Sequence, residues 1–228
     1  MTKVKIEPIG DARKAKTVPK CVYRYLDELE HAQRLLDGYV WLSTLEWCRS
    51  KENMRNDPTD GQKSYSSGRY DDSTATPELS AAVTKGLEGA VKFEPGSGVL
   101  LHNIGSIEVI PSANLFCSSV SRSAPNMRSQ FGQHCICIAD PAAFFFAVTN
   151  AMVIREGLPV DFAGHDYIDY TGRHRAGLDT SDVNPMLSSY KDLANEKEYR
   201  MYWTMNNYGP TERREIYAPE VIALCSRA

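Results

Sequence analysis

The pattern of apolar and polar positions changes its period twice near the start of the chain. The segment CVYRYLD, at 21–27, is rich in valine and tyrosine and predicts a strand. DELEHAQRLLDG then has an apolar stripe of Leu29, Ala32, Leu35 and Leu36 at the three- and four-residue spacing of a helix, with Asp27 placed to cap it and Gly38 to end it. YVWLST, at 39–44, predicts a second strand. The chain therefore opens as strand, helix, strand.

The C-terminal half is dominated by short apolar segments of strand length. We expect strands in GVLLH, SIEVI and NLFCSSVS, and later in HCICIAD, HDYIDYTG, NEKEYRMYW, REIYA and VIALCS. Helices are expected at 77–90 and in PAAFFFAVTNAMV, whose start is marked by Asp140 and Pro141, with a short helical turn in NMRSQFG.

Polar segments separate these elements. Residues 51–76 are full of turn-forming residues, including NDPTDG at 56–61, and they predict a long loop with few regular elements; RHRAGLDTSDVNPM predicts another. We expect a polar N-terminal arm at 1–19 and a single domain at 20–228. Because strands dominate without regular helical crossovers, the predicted class is α+β.

Composition and charge narrow the function classes. The 228 residues are 42% apolar and 24% charged, and the formal net charge is -3. This balance is typical of a globular chain and gives no global electrostatic reason for nucleic-acid or membrane binding. The first twenty positions lack the apolar segment of a secretory signal, and the longest apolar run, AAFFFAV, is too short to span a bilayer. We predict a cytoplasmic protein with no membrane partner; export without a cleaved signal stays open.

Cysteine and histidine spacing gives little indication of a metal site. Cys135 and Cys137 are two residues apart and face the same side of a predicted strand, but buried reduced thiols are the favoured interpretation of this spacing. The histidines are dispersed and show no ligand spacing. Asp57 and Asp60 in NDPTDG have the residue types of a cation site, yet turn chemistry is the favoured interpretation. No metal site is predicted.

The segment NEKEYRMYW carries the first candidate chemistry. Alternation puts an apolar side, with Tyr199 and Trp203, opposite a charged row of Glu196, Glu198 and Arg200. Two carboxylates at this spacing suit a reaction that builds positive charge on a sugar carbon. One would hold a ribose hydroxyl and the other would take a proton from the acceptor. A solvated strand face explains the same row, so both interpretations stand.

Two further candidates lie upstream. Arg24 is in the middle of the first strand, between Tyr23 and Tyr25, and its guanidinium suits either a ligand phosphate or a structural carboxylate. Ser118 and Ser119 end an apolar strand, where hydroxyl groups either donate to a ligand or close the sheet.

Five segments resemble, in order, motifs of the bacterial family of unknown function DUF2971. They read VYRYL, YVWLS, NDPTD, LFCSS and EKEYR, and together they cover about residues 21–204. The family often has a tryptophan-containing helix after its serine motif, whereas this chain has NMRSQFG there.

The same segments are similar to the arginine–serine–glutamate motifs of ADP-ribosyltransferases. The matching positions are Arg24, Ser118 in FCSSV and Glu198 in EKE. The resemblance implies that Arg24 steers the phosphates of NAD, that Ser118 supports the nicotinamide ribose, and that Glu198 holds the ribose hydroxyl. Glu196 would activate the acceptor.

Some details of the match depart from the family pattern. Ser119 stands in the middle of the serine motif, so it takes the role of Ser118 if the register differs by one residue. Tyr23 and Tyr25, beside Arg24, are expected at the same cofactor site. Arg24 could also occupy the place of the histidine used by the histidine–tyrosine–glutamate branch, and the stretch between the serine and glutamate motifs is long for compact toxins of this type.

The resemblance implies a fold of two small packed β-sheets with flanking helices around an NAD cleft. It implies transfer of ADP-ribose from NAD, without a metal, to a protein side chain or a nucleic acid; the two glutamates favour a nitrogen acceptor. A toxin, effector or phage-defence role with an immunity partner would fit. Two alternatives remain: a non-catalytic DUF2971-type binding or regulatory module, in which the charged row is an ion-pair lattice, and a magnesium-dependent nuclease using Asp57, Asp60 and the glutamates.

Overall fold

A computed structural model of the protein describes residues 5–6, 17–50, 57–71, 73–87, 89–90, 99–123, 127–170, 174–179, 184–189, 194, 196–205 and 211–228. The strands are β1 Lys5–Ile6, β2 Cys21–Leu26, β3 Tyr39–Thr44, β4 Gln62–Ser66, β5 Arg69–Asp71, β6 Leu100–His102, β7 Gly105–Val109, β8 Asn114–Ser119, β9 His134–Ala139, β10 Val160–Tyr167, β11 His174–Ala176, β12 Glu198–Met205, β13 Arg214–Tyr217 and β14 Cys225–Arg227. The α-helices are α1 Leu29–Leu36, α2 Leu45–Arg49, α3 Pro77–Gly86, α4 Met127–Phe131 and α5 Pro141–Asn150.

Nine strands of the described chain form one large sheet. Its order is β1-β10-β12-β8-β2-β9-β14, and β3 also pairs with β8 and carries β13 on its other edge. The remaining strands form a small sheet in the order β11-β4-β7 and a two-stranded sheet of β5 and β6. The α+β class is confirmed. Two residues of the predicted N-terminal arm belong to the large sheet, because Lys5 and Ile6 pair in parallel with β10.

The main core lies between one face of the large sheet and α1, α5 and a 3-10 helix at Pro219–Leu224. The predicted apolar side of β12 is confirmed, since Tyr199 and Trp203 belong to this core. The other side of β12 is also buried, with Tyr202 packed in a second cluster that includes Leu115 and Met186. A solvated charged face on β12 is therefore wrong: this strand is covered on both sides.

The helix ends are fixed by local chemistry. The carboxylate of Asp140 accepts a hydrogen bond from the backbone N–H of Ala143 and caps α5, as predicted. A π-helical turn, Ala151–Arg155, continues α5. At α1 the predicted cap is wrong by one residue, because Glu28 occupies the cap position and its side chain makes no capping hydrogen bond.

Three polar or mixed segments differ from expectation. The predicted loop at 51–76 contains β4 and β5, although residues 51–56 lie outside the described residues. The predicted loop RHRAGLDTSDVNPM contributes β11 and a 3-10 helix at Pro185–Leu187. VIALCS was expected to be one strand, but most of it belongs to the 3-10 helix Pro219–Leu224, and β14 begins at Cys225. None of the described helices has the length and apolar character needed to cross a membrane.

Candidate functional site

A gap opens along one edge of β8, where two strands diverge from it. Tyr23 of β2 pairs with Ser119 at one end of β8. At the other end of β8, β3 pairs through Ser43 with Leu115 and through Thr44 with Asn114. Residues 116–118 of β8 lie between these two contacts and line a cavity of about 510 Å³. This cavity, called here the sheet cavity, is also lined by β2, β3, β13 and α1.

Arg24 lies in this gap, as part of the cavity wall. A guanidinium N–H donates to the backbone oxygen of Cys117, and the guanidinium carbon lies 5.0 Å from the centre of the Phe116 ring. The gap leaves this part of the β8 edge without a strand partner among the described residues, so the Arg24 side chain provides a donor where a strand would otherwise supply a backbone N–H.

The two tyrosines beside Arg24 also line the sheet cavity. Tyr25 donates a hydrogen bond to the backbone oxygen of Arg122, and burial raises the pKa of Tyr25 to about 12. A hydrogen bond with Cys21, together with burial, raises the pKa of Tyr23. Both phenols are therefore protonated at neutral pH and present hydroxyl groups rather than phenolates.

The two serines differ in their positions. Ser118 lines the sheet cavity, and its hydroxyl donates to the backbone oxygen of Tyr199 at 2.9 Å. The Ser119 hydroxyl donates to the backbone oxygen of Glu196 at 2.7 Å, and Ser119 is not among the described residues of the cavity lining. Of the two serines that the sequence analysis proposed for one role, Ser118 is therefore the one that lines the cavity.

The wall opposite Arg24 is formed by β3 and β13. Tyr39 and Trp41 of β3 line the sheet cavity, and Trp41 pairs directly with Glu215 of β13. The Trp41 side chain is about half exposed. Arg213 and Trp47 also line the cavity, and the guanidinium of Arg213 lies 4.3 Å from the centre of the Trp47 ring. This wall therefore combines flat apolar rings with cationic and anionic groups.

Arg34 of α1 and Glu215 form a bidentate ion pair on this wall. Arg34 Nε donates to one carboxylate oxygen at 2.6 Å, and a terminal N–H donates to the other. The hydrogen bond with Glu215 raises the pKa of Arg34. The Arg34 guanidinium also lies 4.4 Å from the ring centre of Tyr39. The bidentate geometry fixes the orientation of both side chains, and the pair is partly accessible to solvent.

The charged row of β12 is an ion-pair cluster inside the protein. Arg200 Nε donates to Glu198 at 2.9 Å, and Arg200 Nη1 donates to Asp60 at 2.8 Å. All three side chains are at least 95% buried. Burial alone would lower the pKa of Arg200, but the carboxylates of Asp60 and Glu198 outweigh this effect and raise it. Asp60 therefore links the NDPTDG turn to the centre of the large sheet.

The structure brings some of the predicted site residues together and separates others. Tyr23, Ser119 and Glu198 form one cross-strand row, because Ser119 pairs with the other two on neighbouring strands. Strand alternation then directs Arg24 and Ser118 to the opposite face of the sheet from Glu198. Tyr23, Tyr25, Arg24 and Ser118 share the sheet cavity, whereas Glu198 and Glu196 do not line it among the described residues; Glu196 is buried just before β12.

Sequence reasoning missed the wall formed by α1, β3 and β13. Its central pair, Arg34 and Glu215, is separated by 181 residues along the chain. A partial signal existed, since YVWLST alternates the large aromatic residues Tyr39 and Trp41 with the core residues Val40 and Leu42. Nothing local to the sequence shows that β13 pairs with β3.

The cavity lining combines arginine side chains, whose guanidinium groups suit phosphate or carboxylate ligands, with the carboxylates of Asp27, Glu28 and Glu215. Arg24, Arg34 and Arg213 supply cationic donors around it, and aromatic rings supply flat surfaces. Within the described residues, no group of three or more histidine, cysteine, aspartate or glutamate side chains is arranged to hold a metal. Comparison of the chain with protein-family models, curated proteins and solved structures found no match.

Proposed function

We propose that the protein binds NAD in the sheet cavity and acts on it as an ADP-ribosyltransferase-like domain. The observation that carries the proposal is that Arg24 and Ser118, which are 94 residues apart by number, line the same cavity in the large sheet. These are two of the three positions that the resemblance to ADP-ribosyltransferases assigns to the cofactor. Their meeting requires the β2–β8 pairing and does not follow from the sequence motifs alone.

The chemistry of the cavity suits a dinucleotide. Its volume of about 510 Å³ is within the range of small-molecule sites. The planar fork of Arg24 matches phosphate oxygens, while Trp41 offers an exposed ring against which a base or the nicotinamide can stack. The protonated hydroxyl of Tyr23 offers a hydrogen-bond donor or acceptor for ribose or carboxamide groups.

Within this proposal, the sheet cavity is the cleft of an ADP-ribosyltransferase-like fold. β2, β9 and β14 lie on one side of it, and β3 and β13 lie on the other. ADP-ribose would pass to a protein side chain or a nucleic acid, with NAD as substrate and no metal. A cytoplasmic toxin, effector or phage-defence protein, controlled by an immunity partner, belongs to the same proposal.

The second candidate function is a non-catalytic binding or regulatory module of the DUF2971 type, which would bind its ligand in the same cavity. The cluster of Asp60, Glu198 and Arg200 favours it, because the charged row is an ion-pair lattice, as that alternative expects. The two candidates share the cavity and its ligand class, and they differ in whether the bound NAD is cleaved.

Binding is tested by titrating NAD into the purified protein in a calorimeter and by following the melting temperature. Arg24→Lys retains the positive charge but loses the guanidinium fork, and we expect it to weaken NAD binding about tenfold. Trp41→Ala removes the exposed ring and should weaken binding to a similar extent. Arg227→Lys is the matched control, because Arg227 is exposed on β14 and donates to Gln33.

The proposal also predicts release of nicotinamide from bound NAD, which chromatography detects directly. NAD binding that Arg24→Lys weakens about tenfold, together with release of nicotinamide by the parent, supports the transferase. Binding without release supports the regulatory module. If NAD neither binds nor raises the melting temperature, or if Arg24→Lys and Arg227→Lys bind equally well, the cavity is not an NAD site.

A further inference from the structure

The carboxylates of this protein differ sharply in their access to the sheet cavity. Among the described residues, Asp27, Glu28 and Glu215 line it. Asp27 and Glu28 lie at the exposed junction between β2 and α1. Glu215 lies on the strand wall opposite Arg24, where Arg34 fixes both of its oxygens. It is thus the carboxylate with a defined orientation in the cavity.

Glu198 is buried and does not line the sheet cavity among the described residues. Its side chain is 4% exposed and is bound to Arg200, whereas the side chain of Glu215 is 27% exposed. A group that contacts substrate must reach it, and among the described residues Glu215 lines the sheet cavity whereas Glu198 does not. Reaching the cavity would require breaking a buried ion pair, which leaves Arg200 with less of its charge compensated.

We propose that Glu215 is the catalytic carboxylate of the sheet cavity and that Arg34 is its positioning residue. Glu215 accepts a hydrogen bond from a ribose hydroxyl of NAD and stabilises the positive charge that develops at C1′. Each carboxylate oxygen has two lone-pair directions, and a bidentate arginine uses one on each, so the second direction serves the substrate. This assignment rests on the proposed function and replaces Glu198 in the role that the sequence motif suggests.

The reaction step can be written with water as the acceptor. The bond between C1′ and the nicotinamide nitrogen breaks, and its electron pair leaves with neutral nicotinamide. A lone pair of the water oxygen forms the new bond to C1′, and a proton passes to solvent, which gives ADP-ribose. With a side-chain nitrogen as acceptor, that nitrogen takes the place of the water oxygen. Glu215 takes no proton in this step and acts through its charge and its hydrogen bond to the ribose.

The experiment measures nicotinamide release and NAD affinity for the full chain, four single variants and one double variant. Glu215→Gln keeps the shape and removes the charge, and we expect kcat to fall about 100-fold while the Kd for NAD changes less than threefold. Glu220→Gln is the matched control, because Glu220 is also ion-paired with an arginine but lies outside the described lining of the cavity, and it should retain kcat within about threefold. Glu198→Gln should retain kcat per folded molecule, with folding followed by urea denaturation.

The fourth variant, Arg34→Gln, separates positioning from folding. If Arg34 acts through Glu215, the double variant Arg34→Gln/Glu215→Gln should have nearly the kcat of Glu215→Gln alone, since the two losses are not additive. Full kcat in Glu215→Gln, or loss of kcat in Glu198→Gln at unchanged NAD affinity, overturns the assignment. NAD binding without release by the parent also overturns it but leaves the binding site standing. A parent that fails to bind NAD removes the proposed function itself.

Discussion

Arg200 and its two carboxylate partners show how a charged row can serve the fold. The guanidinium is held by Glu198 and Asp60 and also donates to the backbone oxygen of Met186 at 3.1 Å. Removing three charges from water is costly, so the cluster is maintained only while all its partners are present. The sequence showed the row but not its burial, because the covering layer comes from the distant NDPTDG turn.

We predict that Arg200→Leu lowers the free energy of unfolding by about 3–5 kcal/mol, because it leaves two carboxylates buried without their cation. Urea denaturation at neutral pH measures the loss. Arg155→Leu is the control: Arg155 pairs with Glu220 where both side chains are 42% or more exposed, and the expected loss is below about 1 kcal/mol. Equal losses in the two variants would show that burial of the row contributes nothing.

Gly132 allows α4 to approach the end of β2 closely. Its φ is +114°, and a Cβ at this position would lie 2.1 Å from the backbone carbonyl carbon of Leu26, which lines the sheet cavity. Gly132→Ala should therefore destabilise the protein and displace the end of β2, weakening NAD binding as well. The atoms that the alanine Cβ would meet belong to the backbone, so no rotation of a side chain can relieve the clash.

The matched control for this prediction is Gly157→Ala. Gly157 has φ +64°, but a Cβ would meet no atom within 4 Å, so only the backbone strain of about 1–2 kcal/mol is expected. Gly132→Ala should lower the free energy of unfolding by about 1–3 kcal/mol more than the control does, as measured by urea denaturation. If both variants lose the same free energy, the close approach of the two backbones is unimportant.

At the scale of elements, α5 depends on an unusual residue at its start. Asp140 adopts φ +48°, a left-handed conformation, while its carboxylate caps the helix at Ala143. Asp140→Ala loses the cap and places alanine in an unfavourable conformation, so we expect a loss of about 1–2 kcal/mol in urea denaturation. Asp140→Asn keeps an acceptor and tolerates the conformation. Equal stability of the alanine and asparagine variants would contradict this account.

The elements that sequence patterning predicted are those with an apolar signature. β2, β3, β8, β9 and β12 each contain a run of apolar or aromatic residues, and all five belong to the large sheet. β4 reads QKSYS and β11 reads HRA, and these polar strands form through pairing with each other and with β7. Pairing of this kind is tertiary information, and no local propensity reports it.

At the scale of the whole molecule, the sequence predicted one side of the cavity and missed the other. Arg24 and Ser118 stand out locally, as an arginine within a strand and a serine at a strand end. Glu215 becomes visible as a candidate only when β13 pairs with β3 and Arg34 of α1 reaches it. The order of the motifs along the chain favoured Glu198. However, Glu198 lies on a strand that is covered on both sides, and the order of the motifs gives no information about which segments cover it.

The stability of the whole molecule should depend on pH through a histidine between its layers. His165 of β10 lies 4.6 Å, ring centre to ring centre, from Phe145 of α5, and one ring nitrogen is hydrogen-bonded to the hydroxyl of Tyr199 of β12. Burial lowers the pKa of His165, although Asp166 partly opposes this shift. The folded protein therefore holds His165 neutral at pH values where the unfolded chain already binds a proton.

The sign of the pH effect follows from this difference in proton binding. Above the unfolded histidine pKa of about 6.5 both states are neutral at this position, and the full stability is present. As the pH falls from about 6.5 through the lower pKa of folded His165, stability is lost, with a slope of at most about 1.4 kcal/mol per pH unit from this group. His165→Gln, which keeps a hydrogen-bonding group for Tyr199, should flatten the slope between about pH 6.5 and 5 in urea denaturation. The exposed His102→Gln variant should keep the parent slope, and a His165→Gln variant with that same slope would show that the acid sensitivity arises elsewhere.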